Sequence, residues 1–136
     1  MVATKRDTVM MTDNDSLAAD HVKDRNILGS RAGAIRFSAT MQRRRDAETR
    51  SPEADLVYRK RYGKLRESCV DMLQKGREFG RDENSLHTWV FWRKQETLID
   101  LEVVQSFWRF AKRAEAIRFV IRVQAVIDGF EPVGGW

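Results

Sequence analysis

The stretch SFWRFAKRAEAIRFVIR, from Ser106 to Arg122, decides the fold. It interleaves large rings with five positive charges and one negative charge. Coiled as a helix, it places Phe107, Phe110, Ile117 and Ile121 on one stripe, with Val103 and Ala114 at the same steps of four and three. Arg109, Lys112, Arg113 and Arg122 fall mostly on the other side. Rings and cations are therefore separated by angle. That is the pattern of a helix burying one face, whereas a single-strand binder stacks bases on exposed rings inside a basic groove. Trp108, at the edge of the stripe, is the ring expected to face a partner. Val120, Val123 and Ile127 extend the apolar face, and Gly129 ends it. Phe119, Ile121, Val123, Ala125 and Ile127 also alternate as a strand would, and HTWVFW (87–92) does the same. Helix is the favoured reading, because no turn signal separates this segment from the helical run before it.

Working back toward the N-terminus, Asn84 or Ser85 can cap a helix carrying Leu86, Trp89, Val90 and Trp92. The polar patch RKQET (93–97) reads as a turn, Thr97 with Asp100 resembling a capping box, or as the exposed side of one long helix. An earlier helix starts at Ser51-Pro52-Glu53: a serine N-cap, a proline at the first position, and Glu53 and Asp55 at the positive end of the dipole. Its apolar stripe is Tyr58, Tyr62, Leu65, Cys69, Met72 and Leu73, and Gly76 or Gly80 ends it. The opposite face carries Arg59, Lys60, Lys64 and Arg66. Residues 1–50 show scattered apolar residues and no sustained period, with Gly29 and Gly33 as breakers, though 38–48 has helical character. The expected fold is mostly α: a small bundle of about three helices over 51–128, an extended partner-dependent arm over 1–50, and a tail over 129–136. No internal repeat is read along the chain.

The chain has 136 residues, enough for one domain with a modest core. Its net charge is +5, with 25 basic and 20 acidic residues. Residues 1–50 carry +3, 51–80 carry +2, and 81–136 are neutral, so the excess is diluted. Such a surface fits an acidic protein partner as well as phosphates. Cys69 is the sole cysteine, which excludes an intramolecular disulfide framework. The longest uncharged runs, such as NSLHTWVFW (84–92), are far short of the roughly twenty apolar residues a spanning helix needs. The N-terminus has no apolar core of a secretory signal. Arg25 to Arg45 is acid-free and rich in Arg, Ser and Ala, a presequence-like composition in an internal position.

Residues that could carry chemistry are few. His21 and His87 lie in different segments, and only Asp20-His21…Asp24 approaches metal-ligand spacing; no metal site and no cofactor is expected. Cys69 lies on an apolar stripe, where a buried thiol is expected. Gly29-x-x-x-Gly33 lacks the spacing of a phosphate loop. No catalytic residues are assigned, and the protein is not expected to be an enzyme.

Leu56-Val57-Tyr58-Arg59 resembles the LYR motif, the mark of a family of small, basic, three-helix mitochondrial proteins. Arg77-Glu78-Phe79 is similar to the downstream aromatic region of that family, and the likeness spans about residues 51–100. Val57 stands where the family has Leu. The resemblance implies a non-catalytic accessory subunit of a larger mitochondrial assembly, respiratory or ATP-synthesising, in the matrix or on the inner membrane. It implies an acyl carrier protein as partner, met by Tyr58, Arg59 and Phe79. The basic face of Arg59, Lys60, Lys64 and Arg66, with Trp108, completes the expected partner surface. The alternative from another class is a nucleic-acid-binding protein such as a ribosomal subunit, with Arg43, Arg44 and Arg45, joined by Arg31, Arg36 and Arg50, lying on phosphates.

Overall fold

A computed structural model describes residues 5–70 and 86–136. In chain order the elements are β1 (Lys5–Thr12), α1 (Asp13–Arg25), α2 (Arg31–Ala47), α3 (Pro52–Arg61), α4 (Gly63–Ser68), β2 (Leu86–Arg93), α5 (Gln95–Phe107) and α6 (Arg113–Ile127). The fold is mostly α, as expected, with one two-stranded antiparallel sheet.

The architecture is two copies of a strand–helix–helix unit. β1-α1-α2 has lengths of 8, 13 and 17 residues; β2-α5-α6 has 8, 13 and 15. The helices of the second unit start 82 residues after those of the first. The sequence repeats at the same offset: RAGAIRF (31–37) returns as RAEAIRF (113–119), Gln42 as Gln124, and Asp46 as Asp128. The chain therefore contains an internal repeat, where none was read from the sequence.

Local structure repeats in detail. α1 and α5 end alike, with Ile27 (φ 54°) and Arg109 (φ 57°) in the left-handed region. Leu28 N–H donates to Lys23 C=O at 2.8 Å, and Phe110 N–H to Gln105 C=O at 2.9 Å. These are the six-to-one bonds that close a helix C-terminus. At the ends of α2 and α6, Gln42 Nε2 donates to Asp46 at 2.9 Å and Gln124 Nε2 to Asp128 at 3.2 Å.

The two units interlock by matching cross-contacts. Asn26 Nδ2 of the first unit donates to Asp128 of the second at 2.8 Å. Trp108 Nε1 of the second donates to Asp46 of the first at 3.0 Å. The strands pair over their whole length, Lys5 opposite Arg93 through Thr12 opposite Leu86. Thr8 and Val90 face each other and are themselves 82 residues apart, so the approximate two-fold relation passes through that pair.

The core lies between the units. α2 and α6 pack on each other and on the first helix of the opposite unit. Residues 115–125 of α6 are buried on every side, so α6 is the central helix. Two of its buried residues are arginines. Arg122 donates to both carboxylate oxygens of Asp15, at 2.6 and 2.9 Å, and to Ser68 C=O at 3.0 Å. Arg118 donates to Cys69 C=O at 2.7 Å and to Met10 C=O at 3.3 Å. A guanidinium at the last carbonyls of α4 is favoured by the helix dipole. Together these contacts tie the end of α4 to the central helix of the second unit, while Tyr58 of α3 bonds to Asp46 and Gln42 of the first.

Four expectations are corrected. Residues 5–47 are not an extended arm: they form β1, α1 and α2 and bury Val9, Met11, Ala18, Ala19, Val22, Ala34, Ile35 and Ala39. Alanines carry much of that burial, and their short side chains leave a faint periodic signal. The segment expected as a helix with Leu86, Trp89, Val90 and Trp92 is strand β2, because its β-branched and aromatic residues have a complete partner strand in β1. The stripe from Val103 to Ile121 belongs to two helices, broken at 108–112 by the left-handed Arg109. The helix from Pro52 breaks at Tyr62 (φ −105°, ψ 7°) into α3 and α4. Met72, Leu73, Gly76 and Gly80 lie outside the described residues. Segment 118–127, which also fitted a strand, is helical. The tail folds back: Asn14 Nδ2 donates to Val133 C=O at 3.0 Å and Gly135 C=O at 2.9 Å.

Candidate functional site

The strand pair alternates strictly between its two faces. Asp7, Val9 and Met11 face the helices, opposite Phe91, Trp89 and His87 in register. Val9, Met11 and Phe91 are buried there. The other face points away from the helical layer. It presents Arg6 and Thr8, both exposed, half-buried Met10, exposed Thr88, and Val90 at 51% exposure. Thr88 Oγ1 donates to Met10 Sδ at 3.3 Å. The result is a two-stranded ribbon, closed on one face by the core and open on the other.

Each long edge of the ribbon is flanked by the start of a second helix. α2 begins beside β2: the Arg31 guanidinium stacks on the Trp89 ring, 4.7 Å from its centroid. α6 begins beside β1: Arg113 donates to Asp7 at 3.2 Å. Asp7 and Trp89 are equivalent positions, 82 residues apart, so the two flanks repeat each other. Arg31 is also held by a bidentate pair with Asp20, at 2.8 and 2.9 Å. Those hydrogen bonds hold the Asp20 carboxyl below its ordinary range.

The flanks differ in how they are covered. Beside α2 an open groove of about 550 Å³ is lined by Ser30, Arg31, Ile35, Arg36, Thr88 and Val90, among others. Among the described residues Arg36 has no hydrogen bond or ion pair. Its equivalent on α6 is Arg118, which is sealed under the carbonyl of Cys69. Burial lowers the Arg118 pKa; at Arg122 burial is the largest single influence, but the hydrogen bonds and charge of Asp15 together with Cys69 outweigh it and raise the pKa.

The partner residues expected from the sequence are largely engaged within the molecule. Trp108, expected to face a partner, is 4% exposed, packs against Phe119 and donates to Asp46. Its indole N–H needs an acceptor when buried, and Asp46 supplies one. Tyr58 is half-buried, and its hydroxyl donates to Asp46 at 2.5 Å. Burial, reinforced by that carboxylate, pushes the Tyr58 pKa well up. Arg59 stacks over Phe107 and donates to its carbonyl at 3.1 Å. Arg66 donates to the carbonyls of Trp108 and Arg109, at 2.6 and 2.8 Å. Lys60 and Lys64 are exposed. Phe79 lies outside the described residues.

The triple arginine does not act as one patch. Arg43 pairs with Asp100 at 2.9 Å, and Arg45 donates to Gln124 at 3.0 Å and Gln42 at 2.7 Å. Burial lowers the Arg45 pKa, and Arg44 is the one of the three that stays exposed with no such partner among the described residues. All three sit at the end of α2 remote from the ribbon, since a 17-residue helix is roughly 25 Å long. Cys69 is buried, its thiol pushed up to about 11 by burial. His21 Nε2 donates to Asp128 C=O at 2.8 Å, and His87 meets Asp13 at 2.5 Å.

Compared with protein-family models, with curated proteins and with solved structures, the chain matches none. The site's residues therefore stand on geometry alone. Sequence reasoning missed Arg6, Thr8, Met10, Thr88 and Val90. The usable signal was the repeat RAGAIRF/RAEAIRF, which demands that whatever precedes one copy precede the other.

Proposed function

We propose that the protein binds double-stranded DNA through the open face of its β-ribbon. The observation that carries this is an exposed two-stranded ribbon, backed by a helical layer and flanked on both edges by helix starts. The major groove of B-form DNA has the width of a two-stranded ribbon, and its floor offers donors, acceptors and thymine methyls to side chains that point outward. Arg6, Thr8 and Thr88 supply donors, while Met10 and Val90 supply apolar contact. Arg31, Arg36 and Lys112 stand at the edges, where phosphates would run. A-form RNA is disfavoured, because its major groove is too narrow and deep for such a ribbon. The test is a titration of the full chain against random duplex DNA and duplex RNA over a salt series. DNA affinity that falls steeply with salt, together with weaker RNA binding, supports the reading; no binding at low salt overturns it.

A second reading, a non-catalytic subunit of a larger (mitochondrial) assembly, draws on one observation. α3 buries none of its residues and exposes Leu56 at 68% and Val57 at 59% beside Lys60 and Arg61. An acidic, partly apolar helix, such as one of an acyl carrier protein, is complementary to that face. Recovery of such a partner by the intact chain, and its loss in Lys60→Glu/Lys64→Glu, tests it.

A further inference from the structure

A homodimer built of strand–helix–helix units would present the same side chains to both halves of a duplex, and its site would mirror that two-fold symmetry. Here both units are in one chain, and the ribbon they present is not symmetric. Arg6 is exposed on β1, and the position equivalent to it on β2, 82 residues later, is Thr88. Thr8 and Val90, astride the two-fold relation, are a hydroxyl and an isopropyl group. One end of the ribbon therefore carries a guanidinium. The other end carries Thr88 and Met10, tied to each other by the 3.3 Å contact. The edges differ in the same sense: Arg36 lies in an open groove, and its counterpart Arg118 is sealed beneath Cys69.

We infer that one chain occupies a complete DNA site, and that this site is not palindromic. The inference rests on the DNA-binding reading above. Arg6 reaches guanine O6 and N7 in one half-site, the commonest pairing for an arginine in the major groove. Thr88 with Met10 meets the other half-site with one hydroxyl and an apolar surface, a chemistry suited to a thymine methyl and its neighbours. The end of the α3–α4 excursion preserves the difference, since Cys69 seals Arg118 and leaves its counterpart Arg36 in the open groove.

The experiment selects sequences from a random duplex library with the full-length protein and measures the mass of the selected complex. The expected result is one chain per duplex and a consensus whose halves differ, with guanine enriched on one side. Arg6→Ala, an exposed position, loses that guanine and leaves the other half unchanged, with roughly ten- to hundred-fold weaker binding to the wild-type site. Thr88→Arg gives the second half an arginine of its own and moves the consensus toward a palindrome with guanine on both sides. A palindromic wild-type consensus, or two chains per duplex, overturns the inference and leaves DNA binding standing. Tight binding without any enriched sequence does the same. Absence of any bound DNA removes the underlying reading as well.

Discussion

At the scale of single residues, two carboxylates organise the interior. Asp15 closes the start of α1, accepting Thr12 N–H at 3.0 Å, and also holds Arg122 across the unit boundary. Both members of that pair are fully buried. Removing one leaves a buried charge unmatched, so Asp15→Asn or Arg122→Met is expected to cost about 3–5 kcal/mol in denaturant unfolding, and Asp15→Leu/Arg122→Met to recover a good part of it. Asp46 accepts from Gln42, Tyr58 and Trp108, yet burial outweighs these bonds and raises its pKa. A carboxyl raised in the folded state binds its proton earlier on folding. Its contribution to stability therefore grows as pH falls from the folded pKa toward the unfolded value near 4. The unfolding free energy of the wild type minus that of Asp46→Asn should rise as the pH is lowered from 7 toward about 4; a flat difference would contradict the assignment. Neither role was legible in the sequence, where Asp15 and Asp46 look like ordinary surface acids, because the partners that bury them lie far along the chain.

At the scale of elements, caps were legible where side chains announce them. Ser51 and Pro52 begin α3 as expected, with Ala54 N–H donating to Ser51 Oγ at 3.2 Å. Breaks made by ordinary residues in left-handed conformation were not. Ile27 and Arg109 end α1 and α5 without a glycine to mark them, and the run through Arg109 consequently read as one helix. Ile27 is 93% exposed, so its side chain supports nothing. Ile27→Gly should stabilise the protein by about 0.5–1 kcal/mol, the relief of left-handed strain less the added freedom of the unfolded chain; a thermal unfolding scan decides it. β2 shows the opposite difficulty. HTWVFW fits either element by itself, and only its pairing with β1, which is remote in sequence, makes it a strand.

At the scale of the whole molecule, the approximate two-fold relation between the units accounts for the crossed Asn26–Asp128 and Trp108–Asp46 bonds and for the ribbon, while the contacts of Ser68 and Cys69 with Arg122 and Arg118 break it and make α6 the more buried of the paired helices. Mostly helical character was legible from the stripe 106–122, whose apolar residues do form the core. The architecture was present in the sequence as the repeat of 31–37 at 113–119, but half-buried alanine-rich helices mask their period, and the repeat fades on either side of it. The excess of charge on 1–50 turned out to mark a folded unit, with its basic residues divided among internal pairs, the ribbon and its edges, and exposed positions such as Arg44.

The most direct measurement is the binding of a fluorescent DNA duplex by the full-length protein, followed by anisotropy from about 50 to 200 mM salt, with Arg6→Glu set beside Lys60→Glu/Lys64→Glu. The account predicts binding whose logarithm falls linearly with that of salt, weakened at least tenfold by Arg6→Glu and little changed by the α3 variant. Binding that is insensitive to Arg6 and lost with Lys60 and Lys64, or no binding at the lowest salt, would contradict it.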